Sequence, residues 1–135
     1  MHVKAFFDSS VLIYILSKTD PKSRVAFELL GQGGMISVQV LNEFANVASK
    51  KLRLDWQRIE EILDEIREFL EPPVPLTLSI HELGLAIARR YKYTIYDSLL
   101  IAAALESGCT TIYSEDMQDG QKIGSVTIRN PFTAL

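Results

Sequence analysis

Four acids in this sequence keep apolar company. Asp8 stands where the run Ala5-Phe6-Phe7 ends and Val11 to Leu16 begins, with Ser9 and Ser10 directly behind it. Glu43 has Val40 three residues before it and Val47 four after, so on a helix it borders the buried stripe. Asp97 is followed at three and four residues by Leu100 and Ile101, and Asp116 follows the strand-like "TTIY" by way of Ser114-Glu115. A carboxylate in such surroundings must protonate, meet a cation or ligate a metal, and no Lys or Arg lies within one helical turn of Glu43 or Asp97. Two carboxylates ~4 Å apart repel by about 4 kcal/mol at an effective dielectric of about 20, so a group of them implies a counter-ion. All-oxygen ligands favour Mg²⁺ or Mn²⁺, and the lack of any Cys/His spacing argues against zinc. Acids with one or two divalent ions suit phosphoryl chemistry, in which the metal generates hydroxide and stabilises the leaving oxygen. Each acid also has a plainer role: Asp8 and Asp97 can start helices, and Asp116 can sit in the turn before Gly120. Glu43 is too deep in its helix to cap it, and the conjunction of all four points to a site.

The elements that must position these acids alternate. Val3 to Phe7 reads as a strand, and Ser10 to Ser17 carries apolar residues densely enough for a buried helix. Asp20-Pro21 caps and opens a helix ending near Gly31. "GQGGMIS" gives a turn and a short strand, Met35 to Ser37, and a helix with Val40, Phe44 and Val47 on one face runs to about Leu52. Residues 55 to 70 form an amphipathic helix with an acidic outer face, ended by Pro72, Pro73 and Pro75; "VPLTLS" then supplies a strand. Ser79 and Glu82 make a capping box for a helix Ile80 to Tyr91. Tyr96 to Ser107 is a nearly all-apolar helix closed by Gly108, "CTTIYS" is a strand, and "SVTIRNPF" adds a last one. The alternation implies a parallel sheet covered on both faces, in which ligands bind beyond the carboxyl ends of the strands. Asp8 and Ser114-Glu115-Asp116 fall on that rim. "GQGG" lacks the Lys-Ser/Thr of a phosphate loop.

The bulk properties agree with an ordinary globule. At 135 residues, 47% hydrophobic and 23% charged, the chain suits one domain, residues 1–135, able to bury a core without staples. Its longest apolar run, Leu99 to Leu105, is far below the ~18 residues of a membrane span. The start of the chain shows no cleavable secretory pattern, and the single Cys109 reads as a small buried hydrophobe; both point to the cytoplasm. A net charge of −3 argues against a surface that attracts nucleic acid everywhere, but leaves room for local basic patches at Lys18/Lys22/Arg24, Lys50/Lys51/Arg53 and Arg89/Arg90/Lys92.

In this order and spacing the residues resemble the PIN-domain nucleases, in particular the VapC-type toxins of prokaryotic toxin–antitoxin pairs. "FFDSSVLIYIL" is similar to the family's opening Asp-Thr-Asn-Val-Leu-Ile segment and "SVQVLNEFANV" to the helix with the second acid. "YTIYDSLLIAAALESGCTTIYSEDMQDG" resembles the third acid, its Ala-rich helix and the strand leading to the fourth. The resemblance implies a three-layer α/β/α fold with a central, mostly parallel sheet. It implies Mg²⁺- or Mn²⁺-dependent endonucleolytic hydrolysis of RNA phosphodiesters, leaving a 5′ phosphate. Asp8, Glu43, Asp97 and Asp116 would be the catalytic and metal-binding acids, with Ser10, Ser114 and Asp119 as supporting or substrate contacts. Whether Asp116, Asp119 or Glu115 is the fourth acid stays open. Lys22, Arg24, Arg89 and Arg90 are candidates to hold flanking phosphates. The implied partners are an RNA substrate, a small antitoxin and a second copy of the chain, with no membrane. The rivals are a non-catalytic interaction or dimerisation module, a PIN nuclease outside any toxin–antitoxin pair, and a phosphatase-like hydrolase with Asp8 as nucleophile. The last is weakened because Ser10 stands where such enzymes carry a second aspartate.

Overall fold

A computed structural model of the chain describes residues 4–135. Its centre is a four-stranded sheet in the order β1-β2-β4-β3. Strand β1 (Ala5–Phe7) pairs in parallel with β2 (Thr111–Tyr113), and β2 in parallel with β4 (Val126–Arg129). The short β3 (Lys122–Ile123) closes the edge antiparallel to β4. On the far side of β1, single parallel bridges join Phe6 to Met35 and Ser37 to Val74. From β1 the chain therefore visits one neighbour at Met35 and later returns on the opposite side as β2. The carboxyl end of β1 is thus the point where the winding switches, the place where α/β sheets build sites.

Six α-helices accompany the sheet among the described residues: α1 (Ser9–Leu12), α2 (Lys22–Gly31), α3 (Val38–Lys50), α4 (Trp56–Phe69), α5 (Leu78–Tyr91) and α6 (Ile95–Glu106). The expected α/β/α class with a mostly parallel sheet is the observed one. Four helices start on side-chain caps: Ser37, Asp55, Thr77 and Thr94 accept from the amides of Val40, Arg58, Ile80 and Asp97. Each such cap contributes about 1 kcal/mol. The all-apolar reading of α6 matches its burial, with Leu100 to Ala104 fully enclosed. Phe6, Phe7, Phe44, Ile112 and Ile128 belong to the same contiguous core, each contributing about 1.5–3 kcal/mol by leaving water. Gly34 shows why "GQGG" is there: a Cβ on it would lie 2.8 Å from the Ala5 carbonyl oxygen and from the Phe7 ring. The glycine lets Met35 reach β1.

Several local expectations need correction. The helix expected over Ser10 to Ser17 is α1 followed by a 3₁₀ turn, Ile13–Leu16. Its side chains Ile13 to Leu16 are only partly buried, so no continuous packing face sustains an α-helix there. Met35 to Ser37 and "VPLTLS" form isolated bridges rather than strands, the second beside the three prolines that withhold amide donors. The cap of α5 is Thr77 and not Ser79, whose hydroxyl donates to Glu106 Oε1 at 3.1 Å. Asp20 caps one residue earlier than the helix proper, accepting from the Lys22 amide at 2.9 Å. Strand β3 had no separate signal. Val3, placed in the first strand, and His2 lie outside the described residues.

Candidate active site

Asp8 occupies the turn between β1 and α1, with its amide bonded to the Tyr113 carbonyl at 2.9 Å. It stands at the N-cap position of α1, yet its carboxylate does not cap. Instead Oδ2 accepts from the Ser10 hydroxyl at 2.9 Å and the Ser114 hydroxyl at 2.8 Å. Asp8 is only 4% exposed and Ser114 fully buried. The Ser114 hydroxyl in turn accepts from the amides of Asp116 and Met117, and the Ser10 hydroxyl from the amide of Glu115. Two serines thus lock the turn after β1 to the turn after β2. Asp97 is likewise free of capping duty, because Thr94 caps α6 and Asp97 sits in its first turn.

Glu43, Asp97 and Asp116 all have carboxyl pKa values raised above the ordinary range, in each case chiefly by burial and next by the charge of Asp8. The charges of Asp97 and Asp116 add to the shift at Glu43, and that of Asp116 to the shift at Asp97. Gln39 opposes the rise at Glu43 through an amide bond of 3.3 Å, and Lys51 opposes it at Asp116. The charge of Asp8 therefore reaches acids on three remote segments, and the charges of three acids converge on Glu43. These acids do not close into a ready-made cage: among the described residues no three Asp, Glu, His or Cys side chains stand close enough to share one ion. The donor set is all carboxylate oxygen, the chemistry that hard divalent cations prefer.

The neighbouring acids have other partners. Glu115 Oε1 accepts from the Tyr14 hydroxyl at 2.6 Å, and Glu115 forms an ion pair with Lys22. Lys22 also lies 5.0 Å from the centre of the Tyr14 ring, so this cation is taken up and is not free for a flanking phosphate. Arg24 pairs with Glu28 at 3.4 Å. Asp119 is exposed and accepts from the Asn130 amide at 2.8 Å, which ties its loop to the segment after β4. Beside the acids opens a cleft of about 280 Å³, lined by Ser10, Tyr14, Glu43, Phe44, Lys51 and Asp116 among others. From the sequence Lys51 belongs to the basic patch Lys50/Lys51/Arg53, without a place beside the acids. The available signal was its position eight residues after Glu43, two turns along the same helical face.

The sequence matches the family model of the PIN domain over residues 5–119. The chain belongs to the PIN domain family. Solved PIN structures of the VapC type share its fold. VapC20 of Mycobacterium tuberculosis, a sarcin-ricin loop cleaving toxin, superposes with a TM-score of 0.69 at 19% identity, over 84% of this chain and 90% of that one. A toxin–antitoxin complex from Klebsiella pneumoniae gives 0.72 at 20% identity, over 96% and 98%. A DNA-bound VapBC from Salmonella typhimurium gives 0.68 at 17%, over 96% and 99%. No curated protein sequence matches this one. At these identities the likeness concerns the PIN fold, and no helix among the described residues is long and apolar enough to cross a membrane.

Proposed function

We propose that this PIN-domain protein is a Mg²⁺- or Mn²⁺-dependent endoribonuclease and the toxin half of a toxin–antitoxin pair. The observation that carries the reading is the convergence of the charges of Asp8, Asp97 and Asp116 on half-buried Glu43 at the switch point of the sheet. Asp8 and Asp97 would hold the principal ion, with Glu43 and Asp116 contributing directly or through waters. Bound there, the ion would supply an activated water and offset the charge of the dividing phosphodiester. Ser10 and Ser114 would keep Asp8 aimed through Oδ2 and fix the loop that carries Asp116. The ion pair of Glu115 with Lys22 removes that carboxylate from competition.

The antitoxin half of the reading is supported by the toxin–antitoxin complexes among the similar structures and by an apolar groove. This groove, about 170 Å³, lies between the 3₁₀ turn, α2 and α4, with Phe27 and Phe69 each more than half exposed at its edge. The test is direct. Purified protein should bind Mn²⁺ in calorimetry and cut RNA with Mg²⁺ or Mn²⁺ but not with chelator, and Asp8→Asn should stay folded and lose both. A wild-type protein that binds no divalent ion and leaves RNA intact would return the chain to the non-catalytic module.

A further inference from the structure

We infer that the cleft beside the acids is a single-nucleotide subsite for the RNA strand, with Lys51 as the cation that positions a phosphate flanking the scissile one. The inference rests on the nuclease reading for its ligand class. It stands on geometry of its own. Lys51 is the C-cap residue just past α3, and it lines the cleft together with Glu43 and Asp116. Glu43 lies eight residues earlier, roughly 12 Å along the helix axis at 1.5 Å per residue. Between the two, Val47 and Phe44 from α3 and Ile13 from the 3₁₀ turn give the cleft an apolar wall. The cleft is therefore lined by the carboxylates of Glu43 and Asp116, by apolar side chains suited to a base or ribose, and by the Lys51 cation.

Lys51 is exposed and enters no ion pair among the described residues, in contrast to Lys22 and Arg24. An unpaired, hydrated ammonium on a flexible stem suits a phosphate contact as a point charge. A cleft of about 280 Å³ matches the scale of one nucleotide unit of an unpaired strand. Single-stranded segments are where RNA-binding proteins reach splayed bases.

The test separates this subsite from the nuclease reading. A labelled single-stranded RNA blocked against cleavage by 2′-O-methyl groups is titrated in Ca²⁺ by fluorescence anisotropy at several salt concentrations. Wild type, Lys51→Met, Lys51→Arg and Lys50→Met are compared, and Mn²⁺ affinity is measured in parallel. Lys51→Met should weaken RNA binding about three- to tenfold at low salt and flatten the logarithmic salt slope by about 0.7, the value for one phosphate on a single strand. Lys51→Arg should restore binding, Lys50→Met should bind like wild type, and Mn²⁺ affinity should not fall in any of them. An unchanged Lys51→Met, an equal loss in Lys50→Met, or a wild type that does not bind the strand overturns the proposal. If Lys51→Met weakens binding as stated while wild type fails to cut the unmodified strand in Mn²⁺, the nuclease reading falls and Lys51 stands as a phosphate contact for a bound, uncut strand.

Discussion

Two regions of this molecule are rich in carboxylates, and they behave oppositely. Helix α4 carries Glu60, Glu61, Asp64, Glu65 and Glu68, all exposed, with Arg58 bonded to Glu61 at 3.3 Å on the same surface. These acids are solvated one by one, and exposed ion pairs of this kind contribute little. At the carboxyl end of β1 the acids arrive singly from four segments, and burial together with the charge of Asp8 raises three of them. Acid content is therefore no guide to a metal site. What distinguishes the second region is that partial burial and the charge of Asp8 act together on its acids.

That contrast can be broken most sharply by mutation. Asp97→Asn is expected to cut Mn²⁺-dependent RNA cleavage by more than the roughly 10–100-fold that loss of an outer partner of a metal site costs. The triple variant Glu61→Gln/Asp64→Asn/Glu65→Gln should leave the rate where it was, and equal losses in gel-based cleavage assays would erase the distinction. A smaller effect follows from the buried hydroxyl that ties the two turns together. Ser114→Ala should weaken Mn²⁺ binding by about 10–100-fold and lower stability by about 1–3 kcal/mol, because Asp8 and two backbone amides lose their partner. Calorimetry and urea unfolding check the two numbers separately, and a variant with normal ion affinity would demote Ser114 to a purely structural link.

The gentlest probe is pH. The folded carboxyl of Glu43 has a pKa above its unfolded value, so its neutral form favours the folded state. That contribution is complete below the unfolded carboxylate range, near pH 4, and is lost as pH rises through the raised folded value. Metal-free wild type should therefore lose stability relative to Glu43→Gln as pH climbs from about 4 to 7, and Mn²⁺ should narrow the gap. Melting curves of both proteins across that range give the answer, and a gap that closes with rising pH without metal would contradict the electrostatics described for the cleft.

Much of this was legible in the chain because it depends on local chemistry. The amphipathic stretch 55 to 70, the apolar run that became α6 and the β-branched strand at 111 to 113 each announce themselves by period or composition, and the structure has all three. Glu43 could be set apart by its place on the buried stripe of α3. Other features depend on neighbours remote in sequence. The choice between Ser79 and Thr77 as cap of α5 turned on Glu106 claiming the Ser79 hydroxyl. The different fates of Glu115 and Asp116, adjacent and equally acidic, turned on Lys22 and Tyr14 reaching the first.

By itself the sequence determined the alternation of strands and helices and the type of chemistry its acids could support, because side-chain polarity and helical period act over a few residues. Only the tertiary structure decided which acids the charge of Asp8 reaches, that Lys22 pairs with Glu115, and that Lys51 lines the cleft without an ion pair among the described residues. Those outcomes are set by parallel pairing of β1 with β2, a contact spanning a hundred residues whose register no local pattern encodes.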